Sequence, residues 1–156
     1  MILKVDDYIS RVFFTQRIII VEGDTEEIVI RETLRRLEKA KRINIISRTE
    51  IIKARGKAAI IGLAKYLISF GITPFIIHDR DGNVPDAKKF NDPIKELVGL
   101  ENVIQLEECI EDVLGYPAPT YEKPYMAYEC AKSWGETWDD IPEPWKKIIS
   151  KAFQIS

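Results

Sequence analysis

The feature that most restricts the fold of this chain is the stretch "RIIIV" at residues 17–21, where four β-branched side chains follow one another without a polar interruption. Side chains of a strand point alternately to the two faces of a sheet, so such a run indicates a strand that is buried on both faces. "TPFIIHD" at residues 73–79 has the same character. Strands of this kind occur in parallel sheets covered by helices on both sides, and the sequence therefore predicts an α/β fold.

Strand and helix patterns alternate along the chain. Strands are predicted at 17–21, 43–47, 73–79 and 102–108, and helices at 6–16, 24–41, 56–71, 125–133 and 142–153. The alternation favours right-handed crossovers and a central parallel sheet of about four strands with helices on both faces. A small helical extension follows at the C-terminal end, where Trp134, Trp138 and Trp145 are the expected packing anchors.

Length and composition limit the classes of protein to which this chain can belong. A chain of 156 residues suits one domain with a hydrophobic core, and its net charge of −2 means that nucleic-acid binding must come from a local basic patch or from bound cations. No apolar run approaches the roughly 18 residues that span a bilayer, so no membrane partner is expected. The N-terminus is acidic where a secretion signal is basic, and Cys109 and Cys130 lack metal-type spacing. These features predict a cytoplasmic protein with two reduced thiols.

Acidic side chains follow two of the predicted strands. Glu22 comes directly after the first strand, and Asp79 and Asp81 come after the third. Ligands of open parallel sheets bind beyond the carboxyl ends of the strands, and neighbouring strands lie about 4.8 Å apart, so these acids would face one another. Glu26, in the first turn of the following helix, can point into the same crevice. Hard oxygen ligands of this kind select Mg²⁺ or Mn²⁺, and the pattern predicts a site for one of these ions.

The two acid-ending strands also carry a family resemblance. "IIIVEGDTEE" followed by "IIHDRDGN", with a Gly-Lys pair at 56–57 before the second long helix, resembles a Toprim domain, and most of all the Toprim domain of the OLD (overcoming lysogenization defect) nucleases. The resemblance covers roughly residues 10–130 and implies a Rossmann-like Toprim fold over 1–156 as a single domain. Within it, 17–114 would be the α/β core, 1–16 a helix or a linker to a missing domain, and 115–156 a loop with short C-terminal helices.

The resemblance implies roles for individual residues. The implied metal ligands are Glu22, Glu26, Asp79, Asp81 and an acid after the next strand. For that last position Glu107, Glu111 and Asp112 are all candidates, and Glu111 is favoured because it begins an acidic pair where a helix would start. A lysine near the catalytic centre is also implied, and Lys123 is the best match. The implied catalytic residues are Glu22, Asp79, Asp81 and Lys123.

The activity implied by the resemblance is DNA cleavage by an Mg²⁺- or Mn²⁺-dependent endonuclease. Two ions held about 4 Å apart would activate water and stabilise the departing 3′ oxygen, while Lys123 would neutralise charge on the phosphate. Lys53, Arg55 and Lys57 are the predicted DNA phosphate contacts. His78, the sole histidine, is expected to orient Asp79 rather than to react.

In one respect the chain departs from the family. OLD nucleases carry an ABC-type ATPase domain before the Toprim domain, whereas this sequence has no phosphate loop of the form GxxxxGK[ST] and hence no ATP site. The chain is therefore either a C-terminal fragment or a small protein that acts alone or with a separate ATPase. Toprim nucleases commonly work in pairs, so a homodimer is a further implied option.

Three other readings compete with the nuclease. A haloacid-dehalogenase-type phosphatase fits "IIHDRDG" but needs a later strand ending in paired acids, and Asp139 and Asp140 follow no apolar strand. A calcium loop that starts at Asp79 fails because Val84 and Phe90 occupy its glycine and glutamate positions. A module that binds metal and nucleic acid or an ATPase without cutting stays open.

Overall fold

The computed structural model describes residues 14–155, which fold around a four-stranded sheet with every strand parallel to its neighbours. The strands are Arg17–Val21 (β1), Thr49–Lys53 (β2), Phe75–His78 (β3) and Val103–Gln105 (β4). They lie in the order β2-β1-β3-β4, so β1 and β3 are neighbours at the centre of the sheet. The predicted α/β class, with a parallel sheet of four strands, is confirmed.

Helices cover both faces of this sheet. They are Asp24–Arg35 (α1), Lys39–Arg48 (α2), Lys57–Ser69 (α3), Pro85–Lys88 (α4), Asn91–Val98 (α5), Ile110–Leu114 (α6), Lys123–Ser133 (α7) and Glu143–Phe153 (α8). Short 3₁₀ turns lie at Leu100–Asn102 and Trp138–Asp140. One face packs against α1, α6, α7 and α8, and the other packs against α3 and α5.

The uninterrupted apolar run of β1 contributes side chains to the hydrophobic cores on both faces of the sheet. Ile19 and Val21 belong to the core under α1 and α8, while Ile18 and Ile20 belong to the core under α3 and α5. All of these four side chains are buried, with at most 2% of their surface exposed. A polar residue at any of these positions would therefore lose its water contacts on one face or the other.

The strand predicted at 43–47 is wrong. These residues lie within α2, and the second strand is the following segment, β2 at Thr49–Lys53. The predicted helix at 24–41 is also two helices, because α1 ends at Arg35 and α2 begins at Lys39. A short apolar run cannot distinguish a strand from a helix by its pattern alone, and here Ile43 and Ile46 remain 56% exposed on a helix that buries none of its residues.

The C-terminal helices share the core of the sheet. Trp145 of α8 is completely buried, and its indole Nε1 donates a hydrogen bond of 2.7 Å to Thr33 Oγ1 of α1. Trp134 and Trp138 are half-buried and pack against the same core, which agrees with the anchoring role expected for the three tryptophans. Cys109 and Cys130 are both free thiols.

The predicted N-terminal helix at 6–16 lies mostly outside the described residues. Residues 14–16 are described and are not helical, and the Gln16 N–H donates to the Arg48 carbonyl. Over residues 14–155 no helix combines the length and the apolar character needed to cross a membrane.

Candidate metal and catalytic site

The pairing of β1 with β3 brings Glu22 and Asp79 together at the carboxyl end of the sheet. Val21 lies opposite Ile77 in the register, so the next residues of both strands share one rim. Glu22 Oε2 accepts a hydrogen bond from the Asp79 backbone N–H at 3.3 Å, across 57 positions of sequence. The backbone N–H groups of Arg55 and Gly56 both donate to the Glu22 carbonyl, which anchors that residue from the other side.

The loop of residues 79–82, here called the DRDG loop, is held by Glu108. Asp81 has a φ of +50°, an uncommon backbone conformation for a residue other than glycine. The Asp81 N–H donates to the Glu108 carbonyl, and the Gly82 N–H donates to Glu108 Oε2 at 2.8 Å. A Cβ on Gly82 would lie 2.6 Å from Glu108 Oε1, so a side chain at that position would displace the carboxylate. The sequence predicts a possible role for Glu107 but not for Glu108, because nothing in the acidic run indicates which side chain faces the loop.

A buried lysine contacts the DRDG loop from the interior of the protein. Lys57 is only 3% exposed and pairs with Asp81 Oδ2 at 2.8 Å. Its ammonium also donates to Asn91 Oδ1 at 2.9 Å and to the Arg80 carbonyl at 3.2 Å. Lys57 is therefore not available for the DNA phosphate contact predicted from its position at the start of a helix, because its charge is used inside the protein.

Two further carboxylates lie deeper in the structure. Glu26 is 4% exposed and accepts a hydrogen bond from the Gly23 N–H at 2.8 Å, and Glu111, in the first turn of α6, is 1% exposed. Burial raises the pKa of Glu26, and the nearby charge of Glu111 raises it further. Of the three candidates after the last strand, Glu111 is thus the one that approaches the other acids, whereas Glu107 and Asp112 are exposed beside Pro144 and Ile148.

The charges of the rim acids act on one another. Burial raises the pKa of Glu22 to about 7, and the charges of Asp81 and Glu26 contribute to the rise while that of Lys57 opposes it. A carboxyl with this pKa is only partly ionised at neutral pH. Glu22 therefore needs a nearby positive charge to be a full anion in the folded protein.

Asp79 is the common neighbour of the whole set. Burial raises its pKa to about 8, and the charges of Glu26, Glu22, Asp81 and Glu111 raise it in turn. Asp79 lies within electrostatic range of all four other predicted ligands, so the structure places these four acids near it.

The donor chemistry of this cluster fits a hard divalent cation. Asp79 Oδ1 and Glu111 Oε1 are buried and have no hydrogen-bond partner among residues 14–155, although buried carboxylate oxygens normally have one. Within the same residues, however, no group of three or more His, Cys, Asp or Glu side chains is arranged so that it could hold a metal ion. Two of the acids already have partners, since Glu26 accepts from the Gly23 N–H and Asp81 Oδ2 faces Lys57. A closed set of ligands therefore requires the other side chains of the rim to reorient around these paired acids.

His78 supports the backbone of the rim. It is fully buried, its Nδ1 lies 2.7 Å from the Asp79 carbonyl, and burial lowers its pKa to about 4. Because a carbonyl only accepts, Nδ1 carries the proton of the neutral ring. His78 therefore orients the main chain of Asp79 and does not contact its carboxylate through this bond.

The remaining predicted cations differ in their surroundings. Lys53 forms ion pairs with Asp24 and Glu27, the second at 3.1 Å. Arg55 is exposed in the loop that follows β2. Lys123 is exposed at the start of α7, and its charge partly opposes the rise in the pKa of Glu26, which puts it within electrostatic range of the acids.

The raised pKa values predict that the metal-free protein loses stability as the pH rises. Glu22 and Asp79 titrate at about 7 and about 8 when folded but near 4 when unfolded, so the folded state binds more protons between these values. Unscreened, these two shifts would lower the free energy of unfolding by about 7 kcal/mol between about pH 5 and about pH 8. Solvent screens the partly exposed rim, so we expect a fall of at least about 2 kcal/mol, or about 6 °C in Tm. Thermal unfolding in EDTA, followed by circular dichroism, measures this. A flat or rising Tm would contradict it, and the double variant Glu22→Gln, Asp79→Asn should remove most of the slope.

The segment that contains most of the predicted ligands also matches a known protein family. Residues 13–81 match the family described as "Overcoming lysogenization defect protein-like, TOPRIM domain". The matched segment begins four residues before β1 and ends within the DRDG loop. It contains Glu22, Glu26, Asp79 and Asp81, while Glu111 and Lys123 lie beyond it. No curated protein sequence matches the chain.

Proposed function

Because this chain carries a Toprim domain of the OLD family, a metal-binding domain of nuclease type, we propose that it is an endonuclease that hydrolyses DNA phosphodiester bonds with Mg²⁺ or Mn²⁺. The observation that carries the proposal is the meeting of Glu22 and Asp79 at one rim, with Oε2 of Glu22 3.3 Å from the Asp79 N–H. Acids from separate strands converge there, at the edge of a parallel sheet where ligands bind.

The residues that would hold the cations are Glu22, Glu26, Asp79, Asp81 and Glu111. Divalent ions bound to them would supply Lewis-acid chemistry, by acidifying a water and by stabilising the departing 3′ oxygen. Glu22 and Asp79 lie at the rim, where a phosphate can approach, and Glu26 and Glu111 lie behind them in the protein. The buried oxygens of Asp79 and Glu111 that lack hydrogen-bond donors support their assignment as ligands.

The charge of the rim determines how DNA can approach. Five carboxylates repel a phosphate, so productive DNA binding is expected to depend on the same cations that complete the site. Arg55 and Lys123 are exposed and can meet the phosphate backbone from the protein side. We assign Lys123 the neutralisation of charge on the phosphate, because its charge already acts on Glu26.

One observation favours a second candidate, a module that binds metal and nucleic acid without cutting. The acids among residues 14–155 do not form a ready metal-binding group. A site that cannot rearrange would bind cations weakly and would not support hydrolysis. The phosphatase alternative has no such support, because Asp139 and Asp140 lie in a 3₁₀ turn rather than at the end of a strand.

A nicking assay on supercoiled plasmid distinguishes these functions. The wild-type protein should nick the plasmid with Mn²⁺ or Mg²⁺ and not with EDTA, and Glu22→Gln should reduce nicking on the order of 100-fold. Glu96→Gln, on the exposed side of α5, is the matched control and should behave like the wild type. Plasmid that stays intact while it binds in the presence of Mn²⁺ would favour the non-cutting module. Hydrolysis of a phosphomonoester without nicking would favour the phosphatase.

The wider assembly follows from the family proposal alone. We propose DNA as the substrate, an ABC-type ATPase as a partner domain or protein, and a homodimer as the arrangement that cuts two strands. Size-exclusion chromatography with light scattering, with and without plasmid, tests the last of these.

A further inference from the structure

The Lys57 ammonium is surrounded by acceptors that match its three protons. Asp81 Oδ2, Asn91 Oδ1 and the Arg80 carbonyl lie 2.8, 2.9 and 3.2 Å from Nζ. Lysine is almost never fully buried unless it is paired, because the ammonium loses its hydration when it leaves water. A lysine that is 3% exposed with every proton directed at an acceptor is therefore a specific structural feature and not a surface side chain that happens to fold inward.

Asn91 fixes the position of this lysine. It is 6% exposed at the start of α5, and its Nδ2 donates to the Arg80 carbonyl at 2.8 Å while its Oδ1 accepts from Lys57. Two helices, α3 and α5, thus hold the backbone of Arg80 directly before the acid. The ammonium is located by the core of the protein, and Asp81 is located by the ammonium.

The pairing favours one oxygen of Asp81 as a ligand. Lys57 contacts Oδ2, which leaves Oδ1 for another partner. The φ of +50° at Asp81 is held by the Glu108 carbonyl on one side and by this ion pair on the other. Without the ammonium, the carboxylate would be free to rotate on a strained backbone.

We propose that Lys57 is a positioning residue of the metal site, which fixes Asp81 so that it presents Oδ1 to a divalent cation as a one-oxygen ligand. The inference rests on the proposed function, since it needs a cation at this rim. Lys57 then has a role inside the protein instead of the expected contact with DNA phosphate. Asn91 contributes to this role by holding the ammonium in place.

Two effects of removing the ammonium oppose each other. Its positive charge repels a cation, so its loss by itself would tighten binding. Loss of a partner that orients a ligand typically weakens metal binding by about 10- to 100-fold. Orientation is expected to dominate, because a carboxylate that rotates freely must first be ordered before it can bind the cation, and the ion pair now provides that order.

Mn²⁺ binding to the full chain without DNA, followed by the electron paramagnetic resonance signal of the free ion, tests the proposal. Lys57→Met should weaken Mn²⁺ binding at least about 10-fold. Asn91→Ala keeps the charge but loosens its position, and it should weaken binding in the same direction by about 3-fold, a smaller loss than the one expected for an orienting partner removed outright. Lys65→Met, an exposed lysine of the same helix, is the matched control and should bind as the wild type does.

Hydrogen exchange in EDTA gives a readout that does not need the metal. The Asp81 and Gly82 amides donate to Glu108, and they should exchange about 10-fold faster in Lys57→Met if the ion pair holds the DRDG loop. Equal or tighter Mn²⁺ binding by Lys57→Met would overturn the proposal and identify Lys57 as a competitor of the cation. If that variant does not fold, unchanged binding by Asn91→Ala overturns it instead. A wild-type protein that binds no Mn²⁺ would overturn the proposed function and this inference together, whereas a wild type that binds and nicks beside an unaffected Lys57→Met overturns the inference alone.

Discussion

Replacing Asp79 with asparagine is expected to reduce metal-dependent nicking of plasmid on the order of 100-fold or more while the protein stays folded. Asp79 is the residue whose pKa responds to all four of the other predicted ligands, so it lies at the centre of the cluster. Its buried Oδ1 has no hydrogen-bond partner among residues 14–155, and asparagine has the same shape but a neutral amide in place of the charge. The variant therefore removes a proposed metal ligand with little change in packing.

The stability of this variant separates a catalytic role from a structural one. Burial and like charges raise the pKa of Asp79 to about 8, so the ionised side chain destabilises the fold at alkaline pH. In EDTA at about pH 8 the Tm of Asp79→Asn should equal or exceed that of the wild type by a few °C. Asp92→Asn, whose side chain is 87% exposed on α5, is the matched control for both measurements. Full nicking activity in a folded Asp79→Asn protein would remove Asp79 from the site.

Replacing Trp145 with alanine is expected to be the most destabilising single change, by about 4 kcal/mol, or about 12 °C in Tm. The Trp145 side chain is fully buried between α8 and α1, and truncation leaves a cavity that the sheet cannot fill. Its Nε1 also donates to Thr33 Oγ1, which in turn donates to the Val29 carbonyl at 2.7 Å. Urea and thermal unfolding measured by circular dichroism give the loss directly.

Two further substitutions show which part of Trp145 matters. Trp145→Phe keeps most of the buried ring but has no N–H, and it should cost about 1–2 kcal/mol. Trp138→Ala removes a half-buried indole and should cost less than Trp145→Ala, since less apolar surface becomes exposed. Because α1 also carries Glu26, a loosened α8 should lower the affinity for Mn²⁺ as well. Equal losses from Trp138→Ala and Trp145→Ala would show that burial at position 145 is not the cause.

Local sequence patterns were sufficient to predict the two central strands of the sheet. An uninterrupted apolar run such as "RIIIV" has few structural solutions, because each of its side chains must be buried whichever face it points to, and this predicted β1 and β3. The same patterns failed at residues 43–47. There Ile43 and Ile46 are exposed, and whether such residues form a helix or a strand depends on which segment pairs with β1.

Acids that follow two buried strands are visible in the sequence, and a parallel sheet brings the ends of neighbouring strands to one rim. Which other residues join these acids depends on the packing of the layers. The sequence does not distinguish between the candidates Glu107, Glu111 and Asp112. In the structure Glu111, in the first turn of α6, is the one of these three that is buried. From its position at the start of a helix, Lys57 is expected to be a surface cation. In the structure, contacts with α5 and the DRDG loop bury its ammonium. Burial and pairing across the chain depend on distances in space, and these are set by how the layers pack rather than by the residues that flank each position.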